Sequence, residues 1–257
     1  LKNNYLFTYV IGYRHSPDRI NNFKRVIDWA TRFNGIELII VEQDKTPKLN
    51  TQDLRGKYIF TKSELPYNRS WAFNVGLRSS TTDRIFFADS DLIMDPNDII
   101  KSLNELEKYE AVNPYNTVID TQPQELALSN EDLFKLDRAG RGENDNQKIN
   151  FSGGIVLFKK EAILKIGGFP EEFIGWGGED NVVTNKIDRF LTQKQMTGKC
   201  IHLWHQPVRP DTTYYSNNLQ LLNKIVNMSN EEIGFYIHTT LNKIGNINKY
   251  EFTELNV

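Results

Sequence analysis

Three short stretches carry side chains whose types and spacing could do chemistry. In FFADSDLIM, Asp89 and Asp91 stand one residue apart after an apolar run. Alternate side chains of an extended chain share a face, so both carboxylates can lie together if the chain stays extended. Close carboxylates repel unless something positive separates them, and a divalent cation is a natural partner. Acid-X-acid after a strand is also, and more often, a solvated turn. In HLWHQP, His202 and His205 bracket a Trp. A lone His is usually structural, whereas imidazoles beside carboxylates suit Mn²⁺ and related ions. Their spacing lets both reach one ion only if the strand breaks into a turn between them.

The third stretch is GGFPEEFIGWGGEDN, residues 167–181. Gly175, Gly177 and Gly178 allow positive φ or close approach of a ligand. Trp176 between them offers a flat apolar face of the kind that carries a sugar ring. Glu179 and Asp180 open a helix, where the dipole favours ionised carboxylates. An ionised Asp beside such a platform can take a proton from a sugar hydroxyl. The same run reads equally as a Gly-rich loop with a core Trp and two acids at a helix start.

The elements that must position these groups follow from hydrophobic period. YLFTYVIGY (5–13), IELIIVE (36–42), KYIFT (57–61) and RIFFADSD (84–91) read as buried strands. Ser16-Pro17-Asp18 predicts a helix start, and Ile20, Phe23, Ile27, Ala30 and Phe33 follow at helical spacing, with Gly35 to stop the helix. SWAFNVGLRSS has helical character, and Asp95-Pro96 starts a further helix. This order predicts an α/β fold with a mostly parallel, open sheet. Ligands bind such sheets outside the carboxyl ends of the strands. Arg14, the EQD at 42–44 and the DSD at 89–91 should therefore share one rim. DRAGRGENDNQKIN (137–150) reads as a mobile loop. FSGGIVLFKKEAILKIGGF returns to a strand and short helix, GEDNVVTNKIDRF to a helix, and KCIHLWHQP to a strand. Two helical patterns near the C-terminus, LQLLNKIVNM and EEIGFYIHTTL, are expected to pack on the outside.

A formal net charge of −2 removes the electrostatic argument for nucleic acid as a partner. Cys200 is the single cysteine, so no internal disulfide can form. No run of eighteen apolar residues signals a membrane span, and the N-terminal residues lack signal-peptide architecture. The expected location is cytoplasmic, free or at the inner face of a membrane.

Taken together, the motifs resemble those of a known family. GGFPEEFIGWGGEDN resembles the GFP-x-x-[YF]-x-GWGGED signature of β-1,4-galactosyltransferases and of related domains in bacterial chondroitin-type polymerases. YNRSWAFNVGL, DSDLIM and FSGGIVLFKKEAILKIGGF are similar to further segments of those enzymes, in the same order, over roughly residues 5–207. The resemblance implies a GT-A fold (Rossmann-like, with flanking helices), with residues 1–214 as catalytic domain and 215–257 as a helical extension. Residues 1–112 would bind the nucleotide-sugar and 113–214 the acceptor. It implies a UDP-sugar donor, a saccharide or glycoconjugate acceptor, a Mn²⁺ cofactor and inversion at the anomeric carbon.

By the same resemblance Asp91, His205 and His202 are the expected metal ligands and Asp180 the catalytic base. Gly12, Tyr13, Arg14, Tyr67, Arg69, Asp89 and Ser90 are expected around the donor, with Asp44 added from its position after the second strand. Trp176, Gly177, Gly178, Glu179 and Asn181 are expected around the sugars. Asn181 departs from the third acid that many galactosyltransferases carry, which should alter acceptor contacts. Two other readings remain: a retaining transferase similar to polypeptide N-acetylgalactosaminyltransferases, and a silent sugar- or nucleotide-binding module. Asp directly after Glu argues against the former, because those enzymes usually have Asn there.

Overall fold

The computed structural model describes residues 6–143, 149–207 and 211–250. Strand β1 (Phe7–Tyr13) is buried at every position, and β2 (Ile36–Asp44) at all but its first. Such strands need no polar face, which is the pattern of a parallel sheet covered on both sides. With β3 (Lys57–Lys62) and β4 (Arg84–Ala88) they form the parallel half of a seven-stranded sheet. Its other half adds β6 (Ala111–Asn113), β8 (Ile155–Lys159) and β9 (Gln193–Gln195), in the order β3-β2-β1-β4-β8-β6-β9. Strand β8 alone runs antiparallel to its neighbours, β4 and β6.

Between β1 and β2 lies helix α1 (Ile20–Ala30). It begins about a turn later than the Ser16-Pro17-Asp18 signal predicts. The Ser16 carbonyl accepts from the backbone N–H groups of Arg19 and Ile20, so this stretch is a turn leading into the helix. Helix α2 (Arg69–Ser79) is buried at all eight positions from Ser70 to Leu77. Asn68 caps it by accepting from the Trp71 N–H. A Cβ on Gly76 would fall 2.2 Å from Val10 Cγ1, so only glycine lets α2 lie this close to β1. Asn74, also buried, donates to the Phe169 carbonyl and Glu171 Oε1 and accepts from the Phe169 N–H. Through it α2 fixes the start of the glycine-rich stretch.

Residues 113–150 are more ordered than their composition predicts. They contain β7 (Thr117–Asp120) and the short α4 (Asn130–Phe134), and Arg141 exchanges backbone hydrogen bonds with Val118. Residues 144–148 of the expected mobile loop lie outside the described residues. Strand β7 belongs to a second, three-stranded sheet, in the order β5 (Leu92–Met94), β10 (Lys199–His202), β7.

Helices α3 (Pro96–Glu105) and α5 (Lys160–Lys165) form as expected, and α6 (Glu179–Phe190) starts at the two acids. The C-terminal helices α7 (Thr212–Val226) and α8 (Asn230–Leu241) do more than cover the outside. Ile225 and Ile233 join Phe173 and Val182 in an apolar cluster separate from the main core. Among the described residues no helix is long and apolar enough to cross a membrane.

Candidate active site

The parallel strands end on one rim, as the sequence predicts. Register pairs Tyr13 with Glu42 and Ile11 with Ala88, so the chain beyond β1, β2 and β4 emerges side by side.

The small sheet organises the candidate metal ligands. Asp91 immediately precedes β5, and His202 and Asp120 are the last residues of β10 and β7. Register sets His202 opposite Leu92 on one side and Asp120 on the other, so His202 and Asp120 share a row of the ladder and Asp91 stands one residue before it. His202 Nε2 lies 3.9 Å from Asp91 Oδ2, and His205 Nε2 lies 3.4 Å from the same oxygen. One ligand atom from each of Asp91, His202 and His205 falls within 4.8 Å of the others. The chain leaves β10 after His202, held by Leu203 N–H on the Asp91 carbonyl and Trp204 N–H on Thr121 Oγ1. That departure is the break the three-residue spacing requires.

This donor set fits a divalent ion. One carboxylate and two imidazoles suit a first-row divalent ion, the carboxylate being the donor type that Mn²⁺ favours. Each imidazole also has an outer partner: His202 Nδ1 is 2.8 Å from Asp120 Oδ1, and His205 Nδ1 is 2.9 Å from the Gln206 carbonyl. With Nδ1 donating to Asp120, His202 presents its Nε2 lone pair toward Asp91. His205 Nδ1 faces both the Gln206 carbonyl, an acceptor, and Arg19 Nη2, a donor at 3.2 Å, and its Nε2 is free for an ion in the tautomer that donates to Gln206. Asp120 is itself gripped by Arg141, Nε to Oδ2 at 2.7 Å and Nη2 to Oδ1 at 2.9 Å. Burial pulls its pKa upward, but the bonds from His202 and Arg141 win and hold the carboxyl at about 2.

Asp89 and Asp91 do not face one another as a pair. Residues 90 and 91 form a turn, so the alternation of an extended chain does not apply. Asp89 turns instead to Arg69, whose Nε donates to Oδ1 at 2.5 Å. The Arg69 guanidinium also lies 4.6 Å over the Phe73 ring and donates weakly to the Ser152 and Gly154 carbonyls. Its charge is thus met inside the protein by Asp89.

The glycine-rich stretch reaches the same place from the other side. Gly175, Gly177 and Gly178 all have positive φ (74°, 111° and 93°), and the Gly175 N–H donates to the Tyr67 carbonyl. Asp180 is tied to the loop before β8: Ser152 Oγ donates to its carbonyl at 2.6 Å. Its Oδ2 stands over Gly153, where an added Cβ would be 3.2 Å away. The next residue, Gly154, accepts from the Asp89 N–H. One turn, residues 152–154, therefore joins Asp180 to the aspartates of the DSD.

Glu179 Oε2 is buried without a hydrogen-bond partner. Burial and the neighbouring Asp180 charge push the Glu179 pKa up to about 7, with Arg69 opposing them. Trp176 is 65% exposed, which excludes a core role for it.

The remaining expected residues are placed unevenly. Gly12 lies against the Tyr67 hydroxyl. The Tyr13 ring is buried and stacks on Phe23 at 4.1 Å, so it offers a ligand only backbone. Arg14 donates to the Leu65 carbonyl. Asp44 ends β2 nearly buried, with Oδ1 accepting from the Lys45 N–H. Ser90 sits in the turn between the aspartates, and exposed Asn181 donates its N–H to Asp180 Oδ1. Sequence reasoning missed Arg19, Asp120, Arg141 and Ser152. Arg19 Nη1 reaches Asp91 Oδ2 at 3.4 Å and Nη2 lies 3.2 Å from His205. Asp120 ends a four-residue strand too short to show a period.

The chain is similar to known glycosyltransferases. The family model described as Glycosyl transferase family 2 matches residues 20–167, and one described as N-terminal domain of galactosyltransferase matches 144–202. Beta-1,4-galactosyltransferase 2 of Cricetulus griseus is 29% identical over 150 residues, 55% of this chain and 33% of its own length. The Mus musculus protein of that name is 27% identical over 192 residues, 70% of this chain and 44% of its own length. The chain thus spans less than half the length of these relatives. Among solved structures, the catalytic domain of Drosophila beta1,4galactosyltransferase 7, in complex with xylobiose, aligns with TM-score 0.55 and 17% identity. That alignment covers 87% of this chain and 81% of the other, and it is a likeness of fold: the GT-A fold.

Proposed function

Since the chain belongs to glycosyl transferase family 2, we propose that it moves a hexose or N-acetylhexosamine from a UDP-sugar to a sugar hydroxyl, with inversion and with the help of a divalent ion. The observation that carries the reading is the gathering of Asp91, His202 and His205 two residues beyond Asp89, whose N–H donates to the same 152–154 turn that holds Asp180. The names of the similar proteins favour a galactosyl donor, and xylobiose in the Drosophila structure favours a saccharide acceptor.

In this reading Asp91, His202 and His205 would hold Mn²⁺. The ion would supply Lewis-acid stabilisation of the negative charge left on the diphosphate. The bond from the anomeric carbon to the phosphate oxygen breaks, and a bond to the acceptor oxygen forms on the opposite face. Asp180 takes the acceptor's proton as attack proceeds. Glu179, with an unpartnered buried oxygen, bonds a sugar hydroxyl that fills the vacancy. Arg69 keeps Asp89 and Asp180 from repelling one another out of position. Residues 1–112 serve the nucleotide-sugar and residues 113–214 the acceptor.

The test is Mn²⁺-dependent UDP release from a panel of UDP-sugars, with and without simple saccharides, followed by NMR of the anomeric product. Asp180→Asn should keep UDP and Mn²⁺ affinity and lose about 10²–10⁴-fold in transfer, the usual worth of a general base. Transfer at the wild-type rate by this variant removes Asp180 as base. A retained anomeric configuration removes inversion, and no release with any donor removes the transferase reading.

A further inference from the structure

Helix α7 matches none of the motifs above, yet it meets the glycine-flanked indole. The Tyr215 ring stacks on Trp176, with centroids 5.4 Å apart and planes inclined at 27°. Gly177 makes room for it: an added Cβ would sit 2.9 Å from Tyr215 Cε2. One turn on, the Asn218 amide donates to the Ile174 carbonyl at 3.0 Å and the Trp176 carbonyl at 3.2 Å. A single buried side chain thus satisfies both backbone oxygens that flank Gly175. Helix α7 is in turn seated on α6 by the apolar cluster around Ile225, Phe173 and Val182.

A purely structural clamp would bury the indole it holds. Trp29 and Trp71 are buried at 1% and 0% exposure, while Trp176 stays 65% exposed although Tyr215 covers part of it. An ordered aromatic pair that keeps a face in water, three residues before Glu179, has the form of a surface for a ligand with an apolar face and a polar edge. The C–H face of a pyranose is such a ligand, and its hydroxyls remain free to reach the acids at the start of α6.

We propose that α7 completes the acceptor subsite: Trp176 and Tyr215 form a two-ring platform for the face of an acceptor sugar, and Asn218 positions the loop that carries it. The word acceptor rests on the transferase reading; the platform itself does not. Tyr215 is a specificity-determining contact and Asn218 a positioning residue.

The experiment is a tryptophan-fluorescence titration of the full chain, with Mn²⁺ and UDP present. The probes are methyl β-glucoside, methyl β-xyloside and methyl β-N-acetylglucosaminide. At least one should quench emission saturably in the wild type, and Trp176→Phe should abolish that quench. Tyr215→Ala should weaken the binding about tenfold, the scale of one aromatic contact, and Tyr215→Phe should restore it to within about twofold. Mn²⁺·UDP affinity by calorimetry should stay unchanged in every variant, which separates loss of the platform from loss of the fold. In turnover, Tyr215→Ala should raise the acceptor KM while UDP release without acceptor persists, and Asn218→Ala should do the same. No quench with any probe, a quench that survives Trp176→Phe, or wild-type affinity in Tyr215→Ala overturns the platform. Saccharide binding as described with no UDP release from any donor overturns the transferase reading and leaves the platform standing.

Discussion

Arg69 reaches Asp89 with its Nε 2.5 Å from Oδ1, and this ion pair sits where the DSD turn meets the start of α2. The Arg69 side chain is 10% exposed and that of Asp89 35%. Arg69→Met leaves Asp89 unpaired beside Asp91, Glu179 and Asp180. The expected loss is about 1–2 kcal/mol, below the 3–5 of a fully buried pair because solvent still reaches Asp89. Urea unfolding of the single variant and of Arg69→Met with Asp89→Asn measures it. The double variant should recover most of the loss, and equal loss in both would deny the pairing its role.

Asp120 acts on the metal cluster through His202. Asp120→Ala frees that imidazole to rotate and to change tautomer, so Mn²⁺ affinity should fall about 10–100-fold. Titration of free Mn²⁺ by electron paramagnetic resonance reads this without any substrate. Arg141→Ala, one bond further out, should cost several-fold less.

Glu179 makes stability depend on pH. Its folded pKa, about 7, lies above the ~4.3 of an unfolded Glu. Between those values the folded state binds more protons than the unfolded one, so stability falls as pH rises from about 4.5 to about 7 and stays lower above that. Glu179→Gln removes this slope. The variant should gain in melting temperature relative to the wild type at pH 8 and show little difference at pH 4. A constant offset across that range would mean that Glu179 titrates alike in the folded and unfolded chains.

The contact between Gly76 and Val10 predicts a cost and its cure. Gly76→Ala drives a methyl into Val10 Cγ1, and overpacking of this kind costs about 1–3 kcal/mol. Adding Val10→Ala opens the space, so the pair should show less than the sum of the single losses in denaturant unfolding. Strict additivity would place the strain elsewhere.

Most of the sheet was legible because its strands are long. β1, β2, β3 and β4 run five residues or more, enough to show an unbroken apolar pattern. β5 has three residues and β7 four, too few for any period, so the small sheet stayed hidden, as did β6 and β9 of the large one. Asp120 was hidden with it. The gathering of Asp91, His202 and His205 was expected from the family resemblance, but the separation of Asp89 from Asp91 was not, since a turn at Ser90 breaks the alternation. The stacking of Tyr215 on Trp176 joins residues 39 positions apart in sequence, and nothing local in α7 announces it.

Because His202 pairs directly with Asp120 and with Leu92, the residue after Asp91, the candidate cation site inherits its shape from backbone pairing rather than from side chains adjusting singly. Deleting one residue between 199 and 201 would let β10 re-pair one step along, turning the imidazole to the opposite side while the barrel of apolar contacts behind it survives. Such a chain would look native by circular dichroism and be blind to manganese.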